Sequence, residues 1–385
     1  MNELLNIRGL TVSFQVYEGI APALQDVNLA INQEETFGLV GETGCGKTLT
    51  ALAILRLIPA PGKIEAGSIT FNVNGGSEPV DLLTLTEAEM RSLRGSRISM
   101  IFQEPSAALN PVFTIGEQIS EAILLHRPDE VCQRAADAAG QRLASVSGPV
   151  SILARPELSL ERRIYLQMAG NPDLAWPKFI GRIPLVRRLL WRIGAEAERM
   201  AVEGLRDVEI PDPVRVVRQY PHQLSGGMKQ RAVIAMALAC CPKLLIADEP
   251  TTSLDVTIEA QILELLRKLK VDTEASILYI THDLAVAAQI CDRIGVMYSG
   301  TLCEVAPAEE MFGNPLHPYT KALLVAVPKP GIEPSPIRGF IPDPLDLPSG
   351  CRFHPRCDCA IEVCSKEIPA MHEATPGHLV ACHVQ

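Results

Sequence analysis

No uninterrupted apolar run in this sequence approaches the roughly 18 to 20 residues that a bilayer-spanning helix needs, although hydrophobic residues fill 47% of its 385 positions. A soluble or peripheral protein is therefore expected. An export leader is lacking as well: Met1 to Leu10 carries Glu3 and Arg8, with neither a basic start nor an apolar stretch of leader length. A cytoplasmic location follows as an expectation. Positive charge is in deficit, 35 Lys and Arg against 45 Asp and Glu, and the resulting −10 argues against a broad grip on a nucleic-acid backbone. A reducing cytoplasm also removes the prospect of a disulfide framework. The 11 cysteines are then expected as metal or cluster ligands where they gather and as core filler where they stand alone.

What is present is an ordered alternation. Strand-like runs at Leu4 to Phe14, Ala23 to Ile31 and Thr36 to Val40 precede a glycine-rich turn and an apolar helix, Leu49 to Ile58. From Glu117 to about Asp207 the composition turns helical, rich in Ala, Arg, Glu and Leu, with breaks expected at Pro149, Pro156, Pro172, Pro177 and Pro184. This reads as an inserted helical subdomain. A second α/β block follows: helix Met228 to Cys240, strand Leu244 to Asp248, helix Ile258 to Val271, strand Ser276 to Thr281, helix Leu284 to Cys291 and strand Arg293 to Tyr298. Such alternation predicts a mostly parallel sheet covered on both faces. Past Pro307 the chain is rich in proline and cysteine and reads as a small appendage. No motif is repeated in tandem, so one chain carries one cassette.

Three segments carry chemistry. Gly41-Glu42-Thr43-Gly44-Cys45-Gly46-Lys47-Thr48 fits G-x-x-x-x-G-K-[ST], in which glycines let backbone N–H groups turn inward around phosphate oxygens. Lys47 would reach the β and γ phosphates, Thr48 would offer its hydroxyl to Mg²⁺, and the next helix would point its positive end at the nucleotide. Lys243 to Pro250 is an apolar strand ending in two carboxylates, Asp248 for the metal and Glu249 as a general base for water. Between them, Leu224-Ser225-Gly226-Gly227-Met228-Lys229-Gln230 is a glycine turn opening a helix, a second place for phosphate.

Together with the phosphate loop, that third segment resembles the signature of ABC transporter ATPases, from about residue 4 to 330. Further family motifs follow in order: Gln103 in Ile101-Phe102-Gln103-Glu104-Pro105, Asp255 in Thr251-Thr252-Ser253-Leu254-Asp255, and His282 in Thr281-His282-Asp283. The resemblance implies an α/β P-loop NTPase fold over 1–330, with a helical signature subdomain at about 115–240 and a Cys-rich C-terminal region at 331–385. It implies ATP and Mg²⁺, with nucleotide contacts from Gly41, Glu42, Thr43, Gly44, Cys45, Gly46, Lys47, Thr48 and Leu49. Catalysis would fall to Glu249, His282 and Gln103, and the metal to Thr48, Gln103 and Asp248. Phe14, or else Tyr17, would stack on adenine. In the family the signature of one subunit faces the phosphate loop of another, so Ser225, Gly226, Gly227 and Asp255 would serve a dimer interface.

Within that family, Tyr220-Pro221-His222-Gln223, Asp255-Val256-Thr257 and Pro315-Leu316-His317-Pro318-Tyr319-Thr320 resemble the oligopeptide and dipeptide importers. The branch implies two transmembrane permease subunits, a second ATPase that is a paralogue or a second copy, an extracytoplasmic solute-binding protein, and a place on the cytoplasmic face of the membrane. It also includes importers of nickel, glutathione and sugars, and a soluble ABC ATPase outside transport would share the same nucleotide site. Cys351, Cys357, Cys364 and Cys382 resemble the branch's C-terminal thiols and imply a [4Fe–4S] cluster, with Zn²⁺ as the alternative. Cys359, His354, His378 and His383 lie nearby in sequence and blur that ligand set. Some fifty residues, roughly Leu143 to Arg192, exceed the family's usual length and hold Trp176 and Trp191 among Lys178, Arg182, Arg187, Arg188 and Arg192. Two readings stay open for them: a membrane-facing patch or an extra helix pair packed on the subdomain. Cys45 is a small loop residue or an oxidisable one.

Overall fold

The computed structural model describes residues 3–72, 78–145, 151–170, 184–252, 254–326 and 337–385, and for 151–155, 157 and 184–191 the backbone alone. Two compact units emerge: Met1–Gln103 with Pro242–Gln385, and Glu104–Cys241.

The strands of the first unit are β1 (Glu3–Val16), β2 (Gly19–Asn32), β3 (Thr36–Val40), β4 (Gly62–Phe71), β5 (Val80–Asp81), β6 (Ile98–Ile101), β7 (Leu244–Asp248), β8 (Ser276–Thr281), β9 (Arg293–Tyr298), β10 (Thr301–Pro307), β11 (His372–Thr375) and β12 (His378–Val380). Four form an antiparallel sheet in the order β2-β1-β4-β5, and eight form the main sheet in the order β11-β12-β10-β9-β3-β8-β7-β6. Every residue of β3, β7 and β8 is buried. Runs such as Leu244-Leu245-Ile246-Ala247 offer no polar face to water, so these strands lie in the middle of the sheet, paired in parallel. The core joins the two sheets: Leu5, Ile7 and Phe71 from the antiparallel sheet meet Leu39, Ile246 and Ile280, with Ala51 and Ile54 of the helix Lys47–Ile54. Full burial of each large side chain contributes roughly 1.5 to 3 kcal/mol.

Parallel order fixes where loops emerge. The carboxyl ends of β3, β8, β7 and β6 stand side by side, Val40 opposite Thr281, Asp248 opposite Ile280 and Ile101 opposite Ala247. In open α/β sheets that edge is where ligands bind. The tail read as an appendage supplies two strands to the opposite end of this sheet: Val380 pairs with Glu304 and Leu379 with Val305. Its backbone hydrogen bonds therefore continue the main sheet and do not depend on a separate core.

The second unit is helical, with Ile115–His126, Pro128–Ser145, Ser151–Ala169, Pro184–Asp207 and Gly226–Leu238 as its longer elements. A reciprocal capping box, Thr114 with Glu117, starts the first of them. The break expected at Pro156 is absent, whereas that expected at Pro184 coincides with a helix start. Pro156 sits inside the helix Ser151–Ala169, and Pro184 opens the next, where its missing N–H costs nothing. The turns after Pro156 bury Leu158 and Tyr165, packing this helix on Pro128–Ser145. Arg192 pairs with the buried Glu161. This part of the extra stretch is a packed helix. The side chains of Trp176, Lys178, Arg182, Arg187, Arg188 and Trp191, on which the membrane-facing reading rests, lie outside the described residues.

Candidate functional site

The phosphate loop spans the gap between β3 and the helix Lys47–Ile54. Gly46 is its hinge, with φ +107°, and an added Cβ there would stand 2.6 Å from Leu24 Cδ2. Only glycine meets both demands. Lys47 is 5% exposed, and its Nζ donates to the carbonyls of Gly41 at 2.8 Å and Glu42 at 3.1 Å. Cys45 is packed in the core, and burial pushes its thiol above the ordinary range, against the nearby charge of Lys47. It fills the loop's underside, and its oxidation finds no support in a neutral, covered thiol.

Thr48 Oγ1 donates to Asp248 Oδ1 at 3.1 Å. Asp248, at the tip of β7, is 2% exposed, and burial pushes its carboxyl up while the Thr48 hydroxyl works to lower it. A buried carboxylate beside a hydroxyl matches the oxygen donors Mg²⁺ prefers, so these two residues fit the metal.

Glu249 follows with φ +46°, a left-handed conformation uncommon for such a residue. The twist turns its carboxylate away from that of Asp248 into a ring of partners. His282 Nδ1 lies 3.1 Å from Oε1, while Gln103 Nε2 donates to Oε2 at 3.0 Å and the Thr252 hydroxyl at 2.9 Å. Burial works to raise its pKa, but the hydrogen bonds from His282 and Thr252 prevail and hold it below the ordinary 4.5. The group is an ionised, oriented base at neutral pH. Gln103, expected at the metal, here spends its amide nitrogen on Glu249.

These side chains line one cavity of about 1050 Å³ whose lining is of two chemical kinds. Lys47, Thr48, Gln103, Glu249 and His282 are polar; Phe14, Pro22, Ala23, Leu49, Leu52 and Pro59 are apolar. That division suits a phosphate chain joined to a base. Phe14 takes part, whereas Tyr17, in the turn between β1 and β2, is fully exposed. Asp255 and Ser225 have local roles as N-caps, Asp255 accepting from Ile258 N at 3.0 Å and Ser225 from Met228 N at 3.4 Å. Gly226 and Gly227 open the helix Ser225 caps, in the second unit. Ser253 lies outside the described residues.

Two features of the site have no counterpart in the sequence pattern. Tail residues Ile341, Pro342, Asp343 and Pro344 line the same cavity. Arg356 grips Glu42 of the phosphate loop with both terminal nitrogens, at 2.7 and 3.1 Å. No periodicity announces a pairing across 314 positions. Tyr319 was visible only as part of a branch motif; its hydroxyl accepts from Glu42 N at 3.1 Å.

The cluster expected at Cys351, Cys357, Cys364 and Cys382 is not supported. Among the described residues no group of three or more His, Cys, Asp or Glu is placed to hold a metal ion. Burial pushes the thiols of Cys351, Cys357 and Cys382 up. The tail is tied instead by hydrogen bonds: Cys351 N to Cys364 O at 2.8 Å, Ala381 N to Cys303 O at 2.8 Å, and Arg352 to Ser299 O and Gln25.

The sequence matches the ABC transporter family over residues 24–252 and the oligopeptide/dipeptide transporter C-terminal region over 303–364. It is 39% identical to the dipeptide transport ATP-binding protein DppD of Bacillus subtilis, covering 100% of this chain and 96% of that one. It is 40% identical to the oligopeptide transport ATP-binding protein OppD of Escherichia coli (98% and 92%) and to a probable peptide ABC transporter ATP-binding protein, y4tR, of Sinorhizobium fredii (98% and 94%). In fold it is similar to the ATP-binding cassette MJ0796, solved as a dimer bound to ADP and Pi, with a TM-score of 0.55 at 22% identity over 79% of this chain and 99% of that one. A phosphate loop, a buried carboxylate and a hydrogen-bonded glutamate at the carboxyl end of one parallel sheet, carried by a chain alike from end to end, decide the family: the protein is an ATP-binding subunit of the ABC transporter family, in the branch that bears the oligopeptide/dipeptide transporter C-terminal region.

Proposed function

We propose that this chain hydrolyses ATP to drive the import of dipeptides or oligopeptides. It would act at the cytoplasmic face of a membrane, bound to two transmembrane permease subunits, paired with a second ATPase and fed by an extracytoplasmic solute-binding protein. The observation that carries the solute class is the near full-length identity with relatives named for dipeptide and oligopeptide transport. Among the described residues no helix is long and apolar enough to cross a membrane, which fits a subunit that relies on separate permeases.

The geometry supports the following roles for the site residues. Loop N–H groups and Lys47 would bind the phosphates, and Thr48 with Asp248 would hold Mg²⁺, which supplies charge neutralisation to the phosphates when bound. Glu249 accepts the proton of a water as its oxygen attacks the γ-phosphorus; the bond to the bridging oxygen breaks and ADP leaves. His282, beside Glu249, would steady the transferred phosphoryl group. Ser225, Gly226, Gly227 and Asp255 are assigned to the second ATPase's site.

ATP turnover by the chain assembled with its permeases in liposomes tests this, with and without a solute-binding protein loaded with short peptides and with Glu249→Gln as the blank. Peptide-stimulated turnover that the substitution abolishes is the expected result. Turnover indifferent to peptides would overturn the solute, and failure of the chain to bind any permease would overturn transport itself.

A further inference from the structure

The C-terminal chain returns to the site by two routes. At Glu42, the Arg356 guanidinium, whose side chain is 5% exposed, forms a two-pronged pair with the carboxylate while Tyr319 holds the backbone N–H of the same residue. Such a fork is directional as well as strong. The Arg356 plane lies 5.7 Å from the centre of the Tyr298 ring, itself packed on Tyr319 and Phe353. Arg356 Nε also donates to the Arg338 carbonyl at 2.8 Å. One side chain thus ties the phosphate loop to the chain three residues before Ile341.

From that tie the segment 341–344 runs along the cavity that holds Lys47, Thr48 and Glu249. A turn fixes it, with Asp343 Oδ1 accepting from Leu345 N at 2.9 Å and the Asp343 carbonyl from Asp346 N at 3.0 Å. Its composition says which part of a nucleotide it suits. A carboxylate beside a triphosphate would be repelled, whereas a carboxylate flanked by Ile341, Pro342 and Pro344 matches ribose hydroxyls as donors and a base as an apolar plate. Phe14 offers an aromatic face to the same cavity.

We propose that Ile341–Pro344 is the nucleoside-facing wall of the ATP site, and that Arg356 is the positioning residue that locks this wall to the phosphate loop through Glu42. The inference rests on the cavity being the ATP site, as assigned above. It makes the C-terminal region part of nucleotide recognition, contributing from the same chain that carries the phosphate loop.

The test compares two probes on the full chain with Mg²⁺: ATP, and inorganic tripolyphosphate, which lacks the nucleoside. Asp343→Ala and Ile341→Ser, both at exposed positions, are expected to weaken ATP roughly five- to tenfold, the scale of one ordinary hydrogen bond or a small apolar contact, and to leave tripolyphosphate unchanged. Equal losses for both probes, or no loss for either, would overturn the wall. Arg356→Gln is expected to weaken both probes, and Arg356→Lys to recover part of the loss, since it restores the charge without the fork. Unchanged affinities in Arg356→Gln, or no recovery with Lys, would overturn the lock. If Arg356→Gln does not fold, Glu42→Gln removes the same pair from the loop side and must weaken both probes. Lys47→Ala is the separate check on the site itself: loss of both probes upholds the cavity, and unchanged binding removes the ground for both readings.

Discussion

Glu249 shows how a single backbone choice sets chemistry. Asp248 is the last residue of β7, and the left-handed φ of Glu249 takes the chain out of the strand, with its carboxylate among Gln103, Thr252 and His282. Glu249→Gln keeps the shape and removes the base, so turnover is expected to fall roughly 10²- to 10⁴-fold while ATP binding persists, as phosphate release and equilibrium binding will separately show. Its acidity gives a second readout. A carboxyl held below its ordinary 4.5 contributes stability that is fully present above that pH and is lost as the pH falls through the depressed value. The margin in melting temperature between the unaltered chain and Glu249→Gln should therefore shrink below about pH 4.5; a constant margin would remove the ion from the account. At this scale the sequence was legible wherever a residue's role is set by its neighbours in the chain. The placement of Lys47, Thr48, Asp248 and Glu249 could be read because strand, turn and helix deliver them. Arg356 could not, because its role is fixed by a partner 314 residues away.

Elements were legible in proportion to their pattern. The strands β3, β7, β8 and β9, each built on an apolar run, have the bounds expected from the sequence. The short strands β11 and β12 carry no such run and passed for irregular chain, because β12 takes its register from β10 and β11 from β12. Their attachment has a buried polar centre. Glu304, on β10, accepts from the N–H groups of Leu316 and His317 and lies 2.7 Å from His378 Nε2. His317 Nδ1 in turn accepts from Tyr319 N at 3.0 Å, a bond that its protonation would convert into a donor facing a donor. Burial lowers the His317 pKa from 6.5 to about 4, with Glu304 opposing and Lys321 assisting. The unfolded chain therefore takes up this proton first as acid is added. Stability is present above pH 6.5 and lost progressively toward about pH 4, on the order of 3 kcal/mol in all. His317→Asn keeps an acceptor that does not titrate, so its melting temperature should fall less than that of the unaltered chain across this window. Parallel curves would show that other groups govern the acid limb.

At the scale of the whole molecule, the division of labour between the two units sets the last expectation. The phosphate loop, both strand-tip carboxylates and the tail that lines their cavity all belong to the first unit, whereas Ser225 and the helix it caps belong to the second. A helix whose first N–H groups face out through a glycine turn is equipped to bind phosphate, and the proposed function assigns that phosphate to the other ATPase of the pair. Two consequences separate this assignment from a merely local capping role. Ser225→Arg places a bulky cation at the helix start, so ATP binding by the isolated chain, which the first unit provides, should be unaffected, while turnover of the assembled pair should fall about a hundredfold or more, the scale on which a lost transition-state donor is felt. Turnover of the unaltered chain should also rise more steeply than linearly with its concentration, because a shared site exists only in the pair. Turnover strictly proportional to concentration, with Ser225→Arg still active, would mean that one chain hydrolyses ATP alone and that Ser225 serves only its own helix.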